Sequence, residues 1–90
     1  MKDKRYGIAR NLIMTGYIKS FRELFEIIPK STVAHDLRMN NIRFSQLMAH
    51  VDNFFLSDIF RMADLLEISE PEMVNLIYTQ YQADKKKKSV

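Results

Sequence analysis

The sequence predicts one all-α domain of about five helices, and three observations predict it. Two glycines and two prolines in 90 residues leave little room for long loops. Apolar residues recur at three- and four-residue spacing in successive segments instead of alternating. Two Ser-x-x-Glu capping boxes, Ser20–Glu23 and Ser69–Glu72, mark helix starts.

Over residues 2–15, Tyr6, Ala9, Leu12 and Ile13 share one stripe, and Gly16 offers a left-handed stop. The first 18 residues are thus an N-terminal helix or arm. After Ser20, the residues Phe21, Leu24, Phe25 and Ile28 predict a helix near 21–28 that Pro29 ends. Ser31 is the expected cap of a helix over 32–38 carrying Val33, Ala34 and Leu37. Asn40 and Asn41 break that pattern. Phe44, Leu47, Met48 and Val51 form the packed side of the next helix. Asp52-Asn53 reads as a turn, and Phe54, Phe55 and Leu56 as core plugs. Ser57-Asp58 caps a helix containing Ile59, Met62, Ala63, Leu65 and Leu66, and the last helix covers about 70–83.

Composition limits the function classes. With no cysteine there is neither a disulfide framework nor a thiolate metal site. Apolar runs fall far short of the roughly 20 residues that span a bilayer, and the basic N-terminus lacks a signal-peptide core. A cytoplasmic protein is expected. The net charge of +3 divides unevenly: residues 1–10 carry +3, residues 11–84 carry −4, and Lys85–Lys88 add +4. That pattern predicts an acidic body with basic ends, the last being a solvated tail over 84–90.

Catalytic signatures are missing. No Gly-rich phosphate loop or nucleophile elbow occurs, and Asp58, Asp64, Glu67, Glu70 and Glu72 suit helix starts and exposed positions better than an acid–base pair. His35 and His50 lie fifteen residues apart without further ligands close in sequence, so no metal, cofactor or small-molecule ligand is expected. Met39, Met48, Met62 and Met73 read as core filling.

The stretch KSTVAHDLRMNNIRFSQLMAH, Lys30 to His50, is the centre of the chain. Ala34 is the small residue where two helices cross, Leu37 and Met39 close the first helix and turn, and Phe44 and Leu47 pack the second. With FRELFEII before it and SDIFRMADLLEIS after it, residues 19–82 resemble the Cro/C1-type (XRE-like) helix-turn-helix proteins of the phage-repressor family. The resemblance implies a lambda-repressor-like fold over 19–83 and sequence-specific binding of double-stranded DNA by a small transcriptional regulator. A recognition helix near 41–50 would occupy the major groove.

Carried onto this sequence, the family's base-reading positions fall on Asn40, Asn41, Ser45, Gln46 and Ala49. Lys30, Ser31, Thr32 and Arg43 suit phosphate. Arg38 stands where the family has Gly, so the left-handed residue of the turn is expected to move to Asn40 or Asn41. The last helix has apolar residues around much of its circumference, making Val74, Ile77, Tyr78 and Tyr81 candidates for a homodimer contact. The competing reading is a protein-interaction module, antitoxin-like or a mobile-element accessory, that keeps the fold without reading DNA.

Overall fold

A computed structural model describes residues 3–88 and is all-helical, with no strand among them. Helix α1 spans Arg5–Met14, and a 3-10 helix covers Phe21–Glu26. Helices α2 (Lys30–Asp36) and α3 (Asn41–Ala49) follow, joined by a short turn. A single 3-10 turn, Val51–Asn53, leads to α4 (Leu56–Leu66) and α5 (Glu70–Lys88). The Cα radius of gyration is 12.4 Å, close to the roughly 12 Å of a compact chain of this length. No described helix is long and apolar enough to cross a membrane.

Each helix contributes one apolar face to a shared core. Four phenylalanines, Phe21, Phe25, Phe44 and Phe54, meet edge to face with centroids 5.1–6.0 Å apart. They join the first 3-10 helix, α3 and the segment before α4. On the other side, Ile59, Met62, Ala63 and Leu66 of α4 are buried, as are Met73, Leu76 and Ile77 of α5. Helix α1 buries Tyr6 and Ala9, and the Tyr6 hydroxyl donates to Asp36 Oδ2 at the end of α2, 2.7 Å away.

Several elements differ from the sequence expectation, each for a local reason. The helix expected near 21–28 is a 3-10 helix of six residues, followed by a single α-type bond from the Ile28 amide to the Leu24 carbonyl (3.0 Å) before Pro29 ends the run. Helix α2 starts at Lys30, not after a Ser31 cap: Pro29 is extended (φ −60°, ψ 143°) and its carbonyl accepts from Thr32 and Val33. Helix α4 begins at Leu56. Asp58, expected at an exposed cap, is instead buried, with Oδ1 3.6 Å from the Arg61 guanidinium. Phe54 is in the core, whereas Phe55 and Leu56, also expected there, are exposed. Helix α5 continues to Lys88, so the lysine run forms helical turns where a loose tail was expected. The Ser69–Glu72 box forms as expected: the Glu72 amide donates to Ser69 Oγ, and Ser69 Oγ donates to Glu72 Oε1 at 2.8 Å.

Candidate nucleic-acid interface

The local structure around α3 begins with the end of α2. Arg38 has φ +57°, and it is Arg38, not Asn40 or Asn41, that takes the left-handed conformation. The Met39 amide donates to the Ala34 carbonyl (2.8 Å) and the Arg38 amide to His35 (2.9 Å). These two bonds make a Schellman ending, with half-buried Met39 as its hydrophobic contact. Gly16 (φ +82°) and Glu67 (φ +54°) end α1 and α4 by the same scheme. Because the Schellman bonds already turn the chain at Arg38, both asparagines are free for other work. Asn40 is extended (φ −63°, ψ 138°) and caps α3, its Oδ1 accepting from the Ile42 amide at 2.7 Å and the Arg43 amide at 3.3 Å.

Two arginines fix the helix pair from outside. At the α2 end, the Arg61 guanidinium donates to the Leu37 carbonyl, one of the acceptors a helix leaves without an internal partner. At the far end of α3, Arg22 donates to the Met48 carbonyl (3.0 Å). The same guanidinium holds both Asp84 oxygens, at 2.6 and 3.1 Å, and the buried Gln80 amide donates to Asp84 (3.0 Å). Burial by itself raises the Asp84 carboxyl pKa. The Arg22 guanidinium and the Gln80 amide outweigh that, and the net shift is downward.

With its buried side (Phe44, Leu47, Met48) seated in the core, α3 presents the opposite side to solvent. Asn41, Ser45 and Ala49 lie on one four-residue row and Ile42 and Gln46 on the next; together they line one shallow depression. All five are exposed, as is Asn40, whose side chain is committed to the cap. Helix α3 carries no acidic residue. Its single charge, Arg43, places its guanidinium 5.8 Å from the centroid of the exposed Phe55 ring. Lys30 and Ser31 are exposed and Thr32 is half-buried in the first turn of α2. At the other end, Lys85 lines a cleft with Ala49, His50 and the carboxylates of Asp52 and Asp84, bringing the lysine run of α5 to the end of α3.

The candidates on α5 separate. Val74 and Tyr78 are exposed and line an apolar groove with Phe60, while Ile77 is taken into the core and Tyr81 is half-buried. No group of three or more His, Asp or Glu side chains suited to a metal ion occurs among the described residues. Compared with known proteins, the chain matches no family model, no curated protein and no solved structure.

Sequence reasoning left Ile42 off the packed side of α3 without assigning it a surface role, and it missed Phe55 as the partner of Arg43. The signal for Ile42 was present: Phe44, Leu47 and Met48 set the buried side of α3, and Ile42 lies outside it. No local signal marks Arg22 or Arg61, whose partners lie 62 and 24 residues away in sequence.

Proposed function

We propose that the protein binds double-stranded DNA and acts as a small transcriptional regulator, with α3 in the major groove. One observation supports this above the others. The exposed side of α3 is a continuous strip of side chains able to contact base edges, without a carboxylate to repel phosphate. Asn41, Ser45 and Gln46 supply amide and hydroxyl groups. Lys30, Ser31, Thr32 and Arg43 contact the backbone, joined by Lys85 at the other end of the helix. Asn40 contributes by capping α3, which leaves its side-chain oxygen occupied. A second copy of the chain covers the Phe60–Val74–Tyr78 groove, as a two-half-site operator requires.

The test is enrichment of a random duplex pool by the full chain. A defined sequence family is expected to emerge, and the double variant Asn41→Ala/Gln46→Ala to lose most of that enrichment. Unselective binding by the wild type would contradict the reading. Sedimentation equilibrium tests the second copy: Val74→Asp/Tyr78→Asp stays monomeric at concentrations where the wild type dimerises. A protein-interaction module is the second reading, favoured by Phe55 and Leu56, two large apolar side chains exposed side by side next to Arg43. It predicts that no sequence is enriched.

A further inference from the structure

Ile42 is the anomaly on the exposed side of α3. It is 71% exposed in the first turn of a helix whose other apolar side chains of that size are buried. Its β-branched side chain holds few rotamers, so it forms a stiff apolar knob. Gln46 lies four residues on, on the same strip, and Ala49 completes the depression. In the major groove, Asn and Gln pair with adenine N6 and N7, and apolar side chains contact the thymine 5-methyl group. The bidentate partner of guanine is Arg or Lys and the acceptor for cytosine is Asp or Glu, whereas Ser45 can contact several bases and does not discriminate. The strip contains neither pair of residue types. Arg43, the one cation of α3, lies over the Phe55 ring instead.

We propose that α3 reads A·T base pairs, with Ile42 packed on a thymine 5-methyl group next to an adenine held by Asn41 or Gln46. The proposal rests on the DNA-binding reading and names the bases that reading leaves open. Adenine and thymine of one pair, or of neighbouring pairs, present their amide-binding and methyl groups on the same groove floor. A polar and an apolar side chain one turn apart on a helix are therefore suited to read them together.

The experiment takes the duplex enriched from the random pool and remakes it with deoxyuridine in place of one thymidine at a time, which removes only the methyl group. For the wild-type chain, one position per recognised half weakens binding about four-fold, the equivalent of one buried methyl. Ile42→Ala is expected to bind the thymine and uracil duplexes equally at that position while still selecting sequence through Asn41 and Gln46. Ile42→Val keeps most of the difference. Both variants fold, because the side chain is exposed, and matching melting temperatures check this. Selective binding with no thymine position sensitive to the methyl overturns the role of Ile42 and leaves DNA reading intact. The same holds if the sensitivity persists unchanged in Ile42→Ala. Failure to enrich any sequence overturns both.

Discussion

The two ends of α3 are held by the same kind of group in different settings. At its start, the α2–α3 turn is closed by backbone bonds around a left-handed Arg38, a side-chain cap from Asn40, and Arg61 on the Leu37 carbonyl. At its finish, Arg22 is held in a fork by Asp84 and shares Gln80 with it while reaching the Met48 carbonyl. The first anchor is local apart from Arg61 and carries strain, since a β-carbon in the left-handed region costs on the order of 1 kcal/mol. The second is long-range and saturated with hydrogen bonds. The strained end lies beside the residues proposed to read bases, and the saturated end ties α3 to α5, where the lysines follow.

Substitutions can break this comparison from either side. Arg22→Ala has the largest expected effect. It leaves the Met48 carbonyl without its side-chain donor and the Asp84 carboxylate with only the Gln80 amide, a loss that would cost about 3–5 kcal/mol for a fully buried pair. The Arg22 side chain is 40% exposed, so solvent screening reduces this to about 2 kcal/mol, or roughly 10 °C in Tm.

Asp84→Asn keeps the shape and removes the charge, with an expected loss of about 1.5 kcal/mol near neutral pH. Because the folded-state pKa of Asp84 lies below its ordinary value of 3.8, its contribution is complete above that value. It is lost as pH falls through the depressed one. Thermal melts of wild type and variant should therefore differ near neutrality and converge as the solution is acidified below about pH 4.

At the other end, Asn40→Ala removes the cap of α3 and should cost about 1 kcal/mol in denaturant unfolding. Arg38→Gly relieves the left-handed strain and should stabilise by about 0.5–1 kcal/mol. If Arg38→Gly destabilises, the Arg38 side chain contributes more than its backbone costs, and the contrast between a strained and a saturated anchor fails.

Much of the fold was legible in the sequence because it depends on near neighbours. The spacing of Phe44, Leu47 and Met48, the Ser69–Glu72 box and the stop at Gly16 all act within one or two turns. The exposed side of α3 was legible for the same reason: once the buried side is known, Asn41, Ser45, Gln46 and Ala49 follow from helical phase. What escaped depends on distance or on competition between conformations. Residue type alone favours Asn over Arg for a left-handed position, yet the Schellman bonds to Ala34 and His35 place Arg38 there. Phe55 and Leu56 look like core residues by hydropathy, but the four-phenylalanine cluster is completed by Phe54. The lysine run continues α5 because Gln80 and Asp84 anchor the preceding turns to Arg22.

The exposed side of α3 is proposed to read bases while the surrounding cations hold phosphate. Fluorescence anisotropy tests it, with the enriched duplex and a scrambled one titrated at several salt concentrations. Asn41→Ala/Gln46→Ala is expected to lose all but the few-fold preference that Ile42 retains, with the slope of log affinity against log salt unchanged. If the double variant keeps the full wild-type preference for the enriched duplex, or loses salt dependence instead of selectivity, α3 is not the reading element.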